Sequence, residues 1–275
     1  MDQDTQNNNL SFDGNEANLS FVSVAVVGIL ATVFGGLVGL GLVATMWWIS
    51  TNPWAKDVAE SHGISEHDSS RLGGLVITFG FLGFLVVANG GMPTFDQAKN
   101  TPASALSAPL SLGLWACIAL VGLWDDFVDR LSASRRLMAV MIFSLLWVVA
   151  TPDAVRPEVY LWLPELLRHE ITIILAAAFI ITAFVNAGNM ADGANGLLPI
   201  ISLAFFTCMY FDFGGHTGVF ALIMALSIFV VFNVATGKIF LGDFGSYGLS
   251  AALAMTALVV YGTGQYTMWL LASIL

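Results

Sequence analysis

Asp125 and Asp126, Asp192 and Asp243 are set into a chain that is 57% hydrophobic, and each lies where an apolar run ends. Charged groups at membrane depth are costly unless they are paired, hydrated or bound to a cation, so carboxylates in such places point to chemistry. Asp129 follows Asp125 by four residues and Asp126 by three, which on a continuing helix gathers all three on one side. Like charges this close hold protons more tightly unless a cation neutralises them, and Mg2+ characteristically joins carboxylates to substrate phosphates. The pattern suits a metal-assisted phosphoryl reaction. An acidic loop balancing Arg130, Arg135 and Arg136 is the plainer alternative.

Asn186, Asn189, Asp192 and Asn195 recur every three residues, with Gly188, Gly193 and Gly196 among them. Glycines permit tight turns or close backbone approach, so amides and one carboxylate could converge on a polar substrate; an ordinary Gly/Asn turn explains the composition equally well. Asn233 and Phe240 precede Asp243, and Gly245 and Ser246 open the next apolar run. Asp243 could hold a metal, and Phe240 could stack on a nucleobase or simply face core or lipid. Lys238 suits a membrane-surface anchor.

The elements that must position these residues are apolar helices. A mean hydropathy of +0.81 and a charged fraction of 10% lie far from soluble domains. An all-α polytopic membrane bundle follows, with spans expected near 21–50, 72–90, 106–124, 136–151, 170–186, 196–211, 217–236 and 246–262, and a ninth beginning near 266. Residues 1–20 carry four acids and read as a disordered polar tail; residues 21–275 form the membrane domain. Cys117 and Cys208 are expected to be packing residues. An acidic net charge of −10 argues against nucleic acid as a partner, and the lipid bilayer is the expected surroundings. Lys56, Arg71, Arg130, Arg135, Arg136 and Lys238 fall in alternate loops against Lys99, Arg156 and Arg168, which makes the first set cytoplasmic, puts the N-terminus outside and brings every acidic signature to the cytoplasmic face.

Gly122-Leu123-Trp124-Asp125-Asp126, Asn186 through Leu197, and Phe240-Leu241-Gly242-Asp243, preceded by Arg71-Leu72-Gly73-Gly74, resemble the motifs of the polyprenyl-phosphate N-acetylhexosamine-1-phosphate transferases, which include the phospho-MurNAc-pentapeptide translocases. Asp192-Gly193-Ala194-Asn195-Gly196 is more similar to the O-antigen and exopolysaccharide-initiating members. The resemblance implies transfer of a sugar-1-phosphate from a UDP-N-acetylhexosamine to undecaprenyl or another polyprenyl phosphate, with release of UMP, at a bacterial inner membrane. It also implies roles. Asp125 and Asp126 would activate or position the lipid phosphate, Asp192 would organise the nucleotide sugar, and Asp243 would bind Mg2+, or Mn2+ in its place. Asn186, Asn189, Asn195, Asn233 and Phe240 would line the sugar and uridine site. A homodimer is one assembly open to such a protein.

The chain departs from the family pattern at Asn195, where many relatives have Asp, and before Arg71, where His62 and His67 replace the usual basic Pro-containing loop. The family's ten or eleven spans and its histidine-rich loop extend beyond Leu275, so a C-terminally truncated chain is expected. Two rivals remain open: an inactive relative acting as a membrane scaffold, and an intramembrane aspartyl protease built around Asp243. His169 and His216 fall on the opposite face and receive no role.

Overall fold

The computed structural model describes residues 3–52, 56–57, 69–90, 109–128, 132–152, 164–165, 168–192, 196–213 and 215–262. Asp129, Asn195, His62, His67 and the expected ninth span lie outside these residues. Among the described residues the elements are α1 (Gln3–Thr51), β1 (Lys56–Asp57), β2 (Ser69–Ser70), α2 (Gly73–Ala88), α3 (Pro109–Val128), α4 (Ala133–Ala150), α5 (Glu170–Ala191), α6 (Leu197–Asp212), α7 (Thr217–Thr236) and α8 (Gly242–Gly262). Helices dominate because an apolar segment in lipid must satisfy every backbone amide and carbonyl internally. Helices α4, α5, α7 and α8 are long and apolar enough to cross a membrane, and α2, α6 and the two arms of α1 are shorter apolar helices.

α8 is the mast of the bundle. It packs against α2, α3, α5 and α6, and 78% of its apolar stretch is buried, against 22% for α4. Two cores meet on it: one unites α1, α2, α6, α7 and α8 around Phe205, Phe229 and Phe232, and the other unites α3, α4, α5 and α8 around Trp147 and Ile181. On the outside, Ile171, Phe179 and Phe211 are between 63% and 76% exposed, a surface that would be a liability in water and suits lipid.

Three elements differ from the sequence reading. The stretch expected as one long span reverses at Gly36, whose φ of 57° is open to glycine at little cost. Its arms then run antiparallel, with Gly28 beside Val43 and Gly39 against the carbonyl of Ala31. The reversal brings Val24 back to the level of Trp47, whose ring lies 4.9 Å from Lys238 Nζ, so this stretch is a helical hairpin rather than one continuous helix. The polar tail also differs: its backbone is helical from Gln3, since a helix already nucleated by the apolar segment extends more easily than a new one starts. α5 runs on to Ala191, which puts Asn186 and Asn189 on a helix rather than in a turn, and α8 starts at Gly242, which puts Asp243 in its first turn.

Candidate active site

The chain before α2 and the chain before α8 are knitted together. The Ser70 amide donates to the Lys238 carbonyl (3.1 Å), the Phe240 amide to the Ser70 carbonyl (2.6 Å), and the Gly73 and Gly74 amides to the carbonyls of Phe240 and Leu241 (2.9 and 2.8 Å). The first amides of α2, which lack partners within their own helix, are thereby satisfied by the approach to α8. Glycine is required at this seam. A Cβ on Gly74 would meet the Gly245 backbone, and Gly242, at φ 73°, lies against the Arg71 carbonyl. Gly122 and Gly188 bring α3 and α5 equally close to α8: a Cβ on the first would strike the Asp243 carbonyl and on the second Ser250.

That closeness lets carboxylates of other helices cap α8. Asp126 Oδ1 accepts the Asp243 amide at 3.0 Å and Oδ2 accepts the Phe244 amide at 2.9 Å. Asp192, at the end of α5, accepts the Gly242 amide. Three consecutive amides at the positive end of the helix dipole are thus held by two carboxylates. By contrast, α2, α4, α5, α6 and α7 have no side-chain hydrogen bond at their N-caps. Burial, reinforced by nearby Asp126 and opposed by the Gly242 amide and Arg71, pushes the Asp192 carboxyl up to about 7.

Asp125 and Asp243 form the other half of the site. Arg136, in the first turn of α4, pairs through Nη1 with Asp125 Oδ2, and the same nitrogen is 3.7 Å from Asp243 Oδ2. The two carboxyl groups are within hydrogen-bonding reach of each other. Arg71 stands near Asp126 and Asp192, so each acidic pair has a guanidinium beside it.

The structure therefore brings Asp125, Asp126, Asp192 and Asp243 to one end of the bundle. Asn189 joins them: its Oδ1 accepts the Ser246 hydroxyl at 2.9 Å. Asn186, one turn earlier and half-buried, donates to the Thr182 carbonyl. Asn233 is only 1% exposed and donates to the Ile239 carbonyl at 2.6 Å, which makes it a brace for the turn into α8. Phe240 is half-buried, with its backbone engaged on both sides by Ser70 and Gly73. His169 and His216 occupy the N-cap positions of α5 and α7, at the ends away from the carboxylates.

Arg136 is the participant that sequence reasoning left among loop charges. One signal was present: a cation in the first turn of a helix opposes the helix dipole and needs a compensating anion. Arg71 was noticed as a loop cation and as part of a motif, because nothing in its own neighbourhood in sequence announces Asp126 and Asp192.

Asp125 and Asp243 fit a divalent cation of the Mg2+ kind. Two carboxylates already converge on one positive group, and Mg2+ takes one or two carboxylates and completes its shell with water and substrate phosphate. No cluster of three or more metal-ligating side chains is found among the described residues, so these residues offer a partial shell. Beside the first turn of α8 an apolar cavity of about 200 Å3 opens along Gly245, Gly248 and Ala252, with Phe81, Trp115 and Phe206 in its walls.

Comparison with known proteins gives the family. Residues 109–261, more than half of the chain, match the model of glycosyl transferase family 4. The chain is 26% identical over 220 residues to the phospho-N-acetylmuramoyl-pentapeptide-transferase of Wolbachia sp. subsp. Brugia malayi, covering 73% of this chain and 63% of that protein. It is 26% identical over 254 residues to a putative UDP-N-acetylglucosamine–dolichyl-phosphate N-acetylglucosaminephosphotransferase of Sulfolobus acidocaldarius, covering 86% and 73%. Over 83 residues it is 36% identical to the phospho-N-acetylmuramoyl-pentapeptide-transferase of Staphylococcus carnosus, covering 28% and 26%. The chain thus spans somewhat less than two thirds of the Wolbachia protein's length. The matched segment contains all four carboxylates, and the chain belongs to glycosyl transferase family 4, as a polytopic membrane protein.

Proposed function

We propose that this protein transfers an N-acetylhexosamine-1-phosphate from a UDP-sugar to a polyprenyl phosphate such as undecaprenyl phosphate, releasing UMP, at the cytoplasmic face of a bacterial inner membrane. The observation that carries the reading is the convergence of Asp125, Asp126, Asp192 and Asp243, from three helices, on the first turn of α8. The names of the relatives share an N-acetylhexosamine carried as a phosphate, which supports the sugar class. The product feeds cell-envelope glycan synthesis in this reading.

An oxygen of the lipid phosphate attacks the sugar-bearing phosphorus of the UDP-sugar; the new P–O bond forms as the bond to the bridging oxygen breaks, and UMP carries that oxygen away. Such a reaction asks the protein for alignment and charge stabilisation more than for covalent chemistry. Mg2+, or Mn2+, held by Asp243 with Asp125, would supply neutralisation of the diphosphate. The chain's own groups divide the remaining tasks. Asp126 and Asp192 fix the α8 N-terminus and with it Asp243; Arg71 moderates their charge; Asn189 and Ser246 offer polar groups for the nucleotide sugar. The apolar cavity beside Gly245 suits the isoprenoid end of the acceptor and keeps water from the lipid side of the site.

The test is UMP release by the purified protein with undecaprenyl phosphate and a panel of UDP-N-acetylhexosamines, with Mg2+ or with EDTA. Metal-dependent release with at least one sugar is expected. No release from a folded protein with any of them overturns the reading in favour of the inactive scaffold.

A further inference from the structure

Arg136 occupies an electrostatically awkward position. It lies four residues after the N-cap Ser132, in the first turn of α4, where backbone amides already present positive charge and where the helix has no acidic residue of its own. Among the described residues its ion pairs are with Asp125 at the end of α3 and Asp243 at the start of α8, both reached by the nitrogen Nη1. A guanidinium more often meets one carboxylate with two nitrogens than two carboxylates with one. Here one nitrogen stands where two carboxylate oxygens from different helices point, which is the arrangement expected around a small cation.

We propose that Arg136 is the resident cation of the Asp125–Asp243 pair, a positioning residue that fills the place of the divalent metal until metal enters and displaces it. The inference rests on the transferase reading for its metal and goes beyond it in assigning a competitor for the site. A divalent ion and a guanidinium cannot both lie against the same two oxygens, because their repulsion at such short range is large. Exchange is feasible: the Arg136 side chain is 26% exposed, against 11% for Asp125, and its long stem lets the head withdraw toward solvent while α4 stays in place. In metal-free protein the guanidinium keeps two neighbouring carboxylates from repelling each other and so preserves the α3–α8 junction. The same occupancy weakens metal binding, because the metal meets a competent site only in the fraction of molecules from which Arg136 has withdrawn.

The experiment measures Mn2+ binding to the full chain in detergent without substrate, by the loss of the free-ion paramagnetic resonance signal, together with the melting temperature in EDTA and in Mg2+. Wild type, Arg136→Gln and Arg136→Lys are compared, with Asp243→Asn locating the signal. Arg136→Gln is expected to bind Mn2+ at least about tenfold more tightly, and Arg136→Lys to fall between, because one ammonium spans two carboxylates less well. Arg136→Gln should also melt lower in EDTA and regain that loss in Mg2+ to a greater extent than wild type. An unchanged or weaker Mn2+ affinity, in whichever of the two variants folds, overturns the proposal. Wild-type UMP release separates the two readings: release with an unchanged Arg136→Gln affinity removes only this inference, and tighter Mn2+ binding without release removes only the transferase.

Discussion

Asp126 caps a helix to which it does not belong, its two oxygens taking the amides of Asp243 and Phe244 at 3.0 and 2.9 Å. The neighbouring Asp125 makes no such bond and turns instead to Arg136. Two adjacent carboxylates of the same type therefore have different tasks, and substitutions should separate them.

Asp126→Ala is expected to lower stability, because hydrogen bonds to a charged group are each worth about 1.5–3 kcal/mol and two are lost. Asp126→Asn, which keeps one acceptor, should lose less. Melting temperatures in detergent check the order; an Asp126→Ala protein as stable as wild type contradicts the cap.

Asp243→Asn should behave differently. Its side chain supports no helix end, so the fold is expected to remain within about 1 kcal/mol of wild type, in the range of partly exposed ion pairs. UMP release and the Mg2+-dependent rise in melting temperature should both disappear. Retention of either one argues against Asp243 as the metal-holding residue.

Gly122 and Gly113 lie on the same helix and give an internal control. A Cβ at Gly122 meets the Asp243 carbonyl, whereas nothing lies within 4 Å of one at Gly113. Gly122→Ala should destabilise by about 1–3 kcal/mol through overpacking and disturb activity. Gly113→Ala should be neutral or stabilising by up to about 1 kcal/mol, the helix-propensity gain. Equal melting temperatures for the pair contradict the close α3–α8 crossing.

Asp192 sets a pH dependence. Folding raises its carboxyl from 3.8 to about 7, so the folded state binds the proton more tightly than the unfolded state. The resulting stabilisation is fully present below the unfolded value and is lost as pH climbs toward the folded one. Asp192→Asn cannot titrate and keeps an acceptor for the Gly242 amide. The melting temperature of wild type minus that of Asp192→Asn should therefore fall between about pH 4 and pH 7. Parallel or diverging curves in the other direction refute the assignment.

Much of this site is visible in the sequence, because carboxylates at the ends of apolar runs are conspicuous and helices in lipid are read from hydropathy. What the sequence hides is partnership. Asp126 and Asp243 are 117 residues apart in their hydrogen bond, and no local pattern says that one serves the amide of the other. Asn233 is opaque for the same reason: its bond to the Ile239 carbonyl, which braces the turn into α8, leaves no local mark in the sequence. The single apolar stretch from 21 to 50 hides a reversal because Gly36 is one glycine among several, and a positive φ leaves no mark on composition. Arg136 escapes notice because Arg135 and Arg136 read together as membrane-surface charge.

The trans-capped start of α8 also constrains biogenesis. Its partners Asp126 and Asp192 precede it in the chain, so while α3 and α5 are being inserted the carboxylates have no helix end to hold and Asp243 is not yet beside them. The acidic end of the bundle is completed only when α8 arrives between the helices already in place. A nascent chain halted before that moment keeps Arg136 beside Asp125 but leaves Asp126 and Asp192 without the amides they later hold, which makes the docking of α8 a natural checkpoint in assembly.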